Sequence, residues 1–182
     1  MLPKEEGAAA IFNAKFEADF DPESLKVVGS CQELEKHYFR LTSAPNPETV
    51  RPEAVLRRSL AHLKGKWADK RKAAGAASGA SGGGGDDADG AGGFVNYLWI
   101  CDMLKAVRQD LTVQHIFNGL TVDVYEFHAR VALECGDLNE YNQCQTQLRE
   151  LYRDPDLVGE GNVHEFTAYR LLYYLYLQGN RK

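Results

Sequence analysis

The chain has 182 residues, 44% of them hydrophobic and 10% aromatic, with a formal net charge of −5. That is one domain's length with enough apolar material for a core, and it excludes a wholly disordered chain, a collagen-like repeat and a disulfide-stapled miniprotein. Charge is unevenly spread: residues 51–72 carry net +6, while 1–50, 73–93 and 94–182 carry −4, −3 and −4.

Residues 1–24 place Phe12, Phe16 and Phe20 at spacing four and read as an arm or short helix on the core. The run Ser30-Cys-Gln-Glu33 is a capping-box pattern. It predicts a short helix carrying Leu34, Tyr38 and Leu41, which Pro45 and Pro47 then break. Pro52 suits the first position of the next helix, where Val55, Leu56, Ser59, Leu60, Leu63 and Trp67 form one stripe at helical period. Arg57, Arg58, Lys64, Lys66, Lys70, Arg71 and Lys72 lie on its flanks and last turns. They read either as a solvated face complementing the helix dipole or as a contact for phosphates or an acidic partner.

Residues 73–93 are all Gly, Ala, Ser or Asp. They read as a disordered insertion that splits one domain, 25–72 and 94–182, because such a run cannot bury enough apolar area to order itself. Beyond it, Phe94, Tyr97, Leu98, Cys101 and Leu104 predict a helix, with Arg108-Gln-Asp110 as local capping after it. Thr121, Val124, Phe127, His128, Val131 and Cys135 predict another. Gly136 suits its C-terminal cap, and Asp137 with Glu140 caps the next, carrying Leu138, Tyr141, Cys144, Leu148 and Leu151. A last helix over 165–178 holds Phe166, Tyr169, Tyr173, Tyr174 and Tyr176 among leucines. From Leu171 on it is apolar all round, which predicts burial on every side. Either a partner covers it or the natural protein continues past this chain. No segment alternates with period two. The fold class is therefore all-α, built from stacked antiparallel helical hairpins.

Chemistry is sparse. The start lacks a basic n-region and a long apolar run, so it is not a secretory signal, and no run of roughly 18 apolar residues suggests a membrane span. Cys31, Cys101, Cys135 and Cys144 form no CxxC pair, which points to free thiols in a reducing compartment. The five histidines have no HxxxH or HExxH relation. His128 reads as a core histidine, and Gly82–Gly85 is followed by no GK[ST], so it is no phosphate loop. No nucleophile, acid–base pair, metal set or cofactor box emerges, and neither an enzyme nor a small-molecule substrate is expected. A peptide-binding adaptor of the tetratricopeptide kind is the alternative, with a single helical hairpin, around Gly136-Asp137, in its favour.

Two long stretches carry a resemblance. One is Val28-Gly-Ser-Cys-Gln-Glu-Leu-Glu-Lys-His-Tyr-Phe-Arg-Leu-Thr42, followed by Pro45, Pro47, Val50-Arg-Pro52 and Val55-Leu56. The other is Val107-Arg-Gln-Asp-Leu-Thr-Val-Gln114, continuing through Val124-Tyr-Glu, His128-Ala-Arg130, Glu134, Gly136-Asp137 and Tyr141-Asn-Gln-Cys-Gln-Thr-Gln-Leu148. A shorter match is Glu165-Phe-Thr-Ala-Tyr-Arg170 with Tyr173-Tyr174. Together these resemble the conserved domain of the germinal-centre-associated nuclear protein (GANP) family, which includes the yeast suppressor-of-actin and Thp-three proteins. Within it, the likeness is to the branch with leukocyte receptor cluster member eight.

The resemblance implies a PCI-type helical fold ending in a winged helix, and a nuclear scaffold in messenger RNA processing, transcription elongation or export. It implies assembly with a second PCI-type subunit and a small acidic Sem-one-like peptide, with RNA contact through paired winged helices. This chain is expected to cover about half of that domain, without the winged helix. The expected role of 53–72 is thus supplementary attraction to RNA, and that of Phe166, Tyr169, Tyr173, Tyr174 and Tyr176 is packing against a partner or the rest of the domain.

Overall fold

The computed structural model describes residues 27–77, 96–157 and 159–179. The expected arm at 1–24 and most of the glycine-rich insertion lie outside these residues. Among them are five α-helices and no strand: α1 (Glu53–Ala77), α2 (Tyr97–Val113), α3 (Gly119–Glu134), α4 (Leu138–Leu151) and α5 (Val163–Gly179). Short 3₁₀ turns occupy Pro47–Thr49 and Pro155–Leu157. The fold is all-α, a stack of helical hairpins.

Helix α1 forms on the stripe its sequence displays: Val55, Leu56, Ser59, Leu60, Leu63 and Trp67 are all buried. It starts one residue after Pro52 and runs to Ala77, five residues past the expected boundary. Four of those five residues are alanine, the strongest helix former. In α2 the buried stripe is Ile100, Cys101, Met103, Leu104, Ala106, Val107 and Leu111. Leu98, expected inside, is 75% exposed, because the helix is rotated to set Ile100 inward. Arg108 and Asp110 cap nothing: α2 continues to Val113, and both side chains reach other elements.

Helix α3 is central. Leu120, Val124 and Val131 pack with α1 and α2, while Val122, Ala129 and Ala132 pack with α4 and Phe166. The α3–α4 turn is as expected. Gly136 sits at φ 75°, a conformation that strains any residue with a Cβ, and Asp137 accepts from the Glu140 amide at 2.9 Å.

The predicted helix after Ser30 is absent; residues 27–42 form neither helix nor strand and bend at Leu34 and Thr42. A capping box is a local preference, and long-range bonds outweigh it. The Ser30 and Cys31 amides donate to the Pro47 and Val50 carbonyls, both at 3.0 Å. The Leu34 carbonyl accepts from Ser59 at 2.5 Å and from Arg51 at 3.3 Å. A helix would have consumed that carbonyl. Gly29 also packs so tightly on the Val50 backbone that a Cβ there would collide with it.

Candidate interaction surfaces and buried polar centres

Three features could carry function: the outer face of α5, the cations of α1, and the buried polar groups around α2 and α3. Helix α5 touches the bundle along one side only. Phe166 is fully buried, edge-on to Tyr169 at 5.7 Å and beneath the Arg130 guanidinium at 5.0 Å, so it belongs to the chain's own core. Tyr169 and Tyr173 are half-buried, the latter edge-on to Tyr141 at 5.5 Å. Arg130 anchors the helix start by donating to both Glu165 oxygens, at 2.8 and 2.7 Å, which holds the Glu165 carboxyl below its usual range. The other side is open: Leu171, Leu172, Tyr174, Leu175, Tyr176 and Leu177 are 37–62% exposed. Large contiguous apolar patches on a domain mark contact surfaces. The all-round burial expected of this helix is therefore met on one face within the chain.

Most of the α1 cations are engaged inside the chain. Lys64 meets Asp123 at 2.6 Å, and Arg71 meets Glu134 at 3.2 Å, tying α1 to α3. Lys66 lies 2.5 Å from Glu35 and stacks 4.9 Å from the Trp99 ring; His62 shares the same carboxylate at 2.7 Å. Those two partners hold the Glu35 carboxyl below its ordinary pKa, Lys66 first. Arg58 reaches Gln32, and Arg57 pairs with Glu53 one turn back. Lys72 lies 3.5 Å from Asp69, and Lys70 sits over Trp67 at 4.6 Å. The basic helix thus doubles as a clamp on the irregular segment 27–42 and on α3.

Two buried centres escaped the sequence reading. In the first, Arg51 and Asp110 are both fully buried and joined at 2.6 Å. Lys36 closes on the other Asp110 oxygen at 2.5 Å. Gln114 binds the Arg51 carbonyl at 2.7 Å and the Gly29 amide at 3.1 Å. In the second, Arg108 Nη1 donates to Glu140 at 2.6 Å and to His128 Nδ1 at 3.2 Å, and lies 3.0 Å from Cys144 Sγ. Lys105 meets the other Glu140 oxygen at 2.8 Å. Burial, followed by the Arg108 and Lys105 charges, pushes His128 well below the ordinary 6.5, so it is neutral. Burial likewise drives the Cys144 thiol up to about 12, which removes it as a nucleophile at neutral pH.

Cys101, His128 and Glu140 bring one donor atom each to within 4.8 Å of one another. The surroundings reject a divalent ion. Two cationic side chains already hold the Glu140 carboxylate. Arginine has only donors, so His128 Nδ1 accepts from it, and the ring proton sits on Nε2, the nitrogen facing Glu140. An ion there would need that proton removed beside two positive charges.

The matched family decides what kind of molecule carries these surfaces. Residues 23–180 match the model of the SAC3/GANP family. The chain belongs to the SAC3/GANP family. Among related proteins, the THP3 homolog of Schizosaccharomyces pombe is 46% identical over 94% of this chain and 37% of its own length. SAC3 family protein A of Arabidopsis thaliana is 48% identical over 90% of this chain and 13% of its own. The leukocyte receptor cluster member 8 homolog of Xenopus laevis is 43% identical over 89% and 17%. The chain spans little more than a third of the length of the first of these SAC3/GANP relatives and less of the others. No helix among the described residues is long and apolar enough to cross a membrane.

Proposed function

We propose that this chain is a non-enzymatic scaffold segment of a nuclear SAC3/GANP assembly that acts in messenger RNA processing, transcription elongation or export. The observation that carries the reading is the open leucine and tyrosine face of α5. It carries no charge from Leu171 to Leu177 and it is helical, so it complements another apolar helical surface. The occupant we assign is the second, PCI-type subunit that the family resemblance implies, bound together with a small acidic Sem-one-like peptide. The matching side chains are Tyr173, Tyr174, Leu175 and Tyr176; Phe166 and Tyr169 position the helix from beneath. RNA attraction is a secondary element, which we assign to Lys70, Arg71 and Lys72 in the last turns of α1.

The test is co-purification from nuclear extract with Leu175→Glu plus Tyr176→Glu. Recovery of the PCI-type subunit is expected to disappear while the melting temperature of the chain holds. Unchanged recovery sinks the assignment of α5.

A further inference from the structure

The start of α5 is tied to the bundle by hydrogen bonds, and its underside rests on aromatic rings. The ties converge on Glu126 of α3, which is 2% exposed. Its Oε1 accepts from the Tyr152 hydroxyl at 2.6 Å and from the Asn162 amide. Its Oε2 accepts from the Asn162 side chain at 2.7 Å and from Arg130 at 3.2 Å. Burial, then the bond to Glu126, raises the pKa of Tyr152, which keeps its proton to donate. A carboxylate has about four lone-pair positions, and these donors occupy them.

The donors come from different parts of one joint. Tyr152 caps the C-terminal end of α4. Asn162 stands just before α5, and its carbonyl accepts from the Phe166 amide at 3.2 Å, in the first turn of that helix. Arg130 carries the link onward to both oxygens of Glu165. The chain passes close over the carboxylate: a Cβ on Gly161 would collide with Glu126 Oε1. One buried side chain of α3 therefore gathers the end of α4, the connection and the first turn of α5.

Farther along, α5 is held by less. Arg170 donates to Gln145 at 3.0 Å. Tyr173 rests edge-on against Tyr141, whose enclosed hydroxyl has no partner among the described residues. Hydrophobic contact is non-directional, so it keeps α5 on the bundle without fixing its tilt. Leu175 lies about 14 Å along the axis from Phe166, and a tilt of about 20° at the first turn carries it about 5 Å. Backbone shifts at preformed interfaces are about 1 Å or less. The joint thus decides where the open face of α5 points.

We propose that Glu126 is a positioning residue for partner assembly: it touches no partner, and it sets the direction of the α5 face through Asn162 and Arg130. The proposal rests on the reading of α5 as the contact helix. Glu126→Gln is the decisive variant. One orientation of the glutamine amide sets its NH2 against the Asn162 backbone N–H, and the other sets it against Arg130, so a donor meets a donor either way. The milder Asn162→Ala, at an exposed position, removes one of the four bonds and leaves the buried carboxylate in place. Nitroxide labels at Leu98→Cys and Leu175→Cys, with Cys31 and Cys135 changed to serine, report the tilt by pulsed electron resonance. The native distance distribution is expected to be narrow. Glu126→Gln shifts or broadens it by about 5 Å, and Asn162→Ala does so less. Recovery of the PCI-type subunit from nuclear extract falls about tenfold with Glu126→Gln. Adding Asn162→Asp to Glu126→Gln gives the glutamine NH2 an acceptor and restores both readouts. An unchanged distribution in Glu126→Gln and Asn162→Ala, or no rescue by the double variant, overturns the proposal. So does a broadened distribution with unchanged recovery. In that case Leu175→Glu plus Tyr176→Glu tells which idea failed: lost recovery condemns the role of Glu126 alone, and unchanged recovery condemns the α5 contact as well.

Discussion

Helices α4 and α5 are neighbours with opposite relations between sequence and burial. Helix α4 is rich in polar residues, yet it buries Glu140, Tyr141, Cys144, Gln145, Leu148 and Leu151. Helix α5 is nearly all leucine and tyrosine over its second half, yet Phe166 is its only fully enclosed side chain among those described. The difference is in neighbours. α4 lies between α3 and α5, so Glu140 and Gln145 are drawn in and paired, while the Tyr141 hydroxyl is enclosed with no partner among the described residues. α5 has the bundle on one side only. Apolar composition states what a segment gains from being covered, roughly 1.5–3 kcal/mol per large side chain; only the fold says whether it is covered.

That contrast can be broken by substitution. The largest effect is expected at the buried ion pair: Asp110→Ala leaves Arg51 charged and enclosed, and should cost about 3–5 kcal/mol in urea unfolding. Leu104→Ala in the bundle interior should cost about 2–5 kcal/mol. On the open face, Leu171→Ala or Leu175→Ala should change stability by about 0.5 kcal/mol or less, despite deleting the same side chain. A loss of 2 kcal/mol or more there would mean that α5 is packed on both faces within the chain.

Acid sharpens the same comparison. His128 is neutral in the fold, with its pKa depressed below the ordinary 6.5 it regains on unfolding. The unfolded chain therefore binds the extra proton. Stability is full above pH 6.5 and falls as pH drops below it, by up to about 1.4 kcal/mol per unit. The groups facing it are Arg108, Lys105 and Glu140, and none offers the imidazolium a free anion. His128→Gln should flatten urea midpoints measured from about pH 7 to about pH 5. Glu165, whose pKa the Arg130 contact lowers, acts later: its contribution is present above the usual carboxylate range and is lost below it.

Much of the bundle was legible. The α1 stripe needs only period 3.6, and the Gly136-Asp137 turn needs only the φ tolerance of glycine and the cap of an aspartate. The irregular course of 27–42 was hidden, because its capping-box residues signal a helix to any local reading. What overrides them is Arg51, Ser59 and Gln114, residues 17 to 85 positions away. The paired state of the α1 cations was hidden for the same reason: Glu35, Asp123 and Glu134 come from elsewhere in the chain. Arg108 looked like a cap because Asp110 stood two residues on, whereas its partners are on α3 and α4. The α5 face was visible as an excess of apolar residues, and its exposed side only from the packing.

The strap at 29–36 also bears on the order of folding. Its Gly29 amide reaches Gln114 across 85 residues, and its Leu34 carbonyl waits for a hydroxyl on α1. Such contacts repay loop-closure entropy only after α1 and α2 have met, so they form last. The strap is then a late-closing latch, with little influence on the folding rate and strong influence on the unfolding rate. Mutations at Gly29 or Ser59 should leave refolding nearly unchanged and shorten the lifetime of the native state.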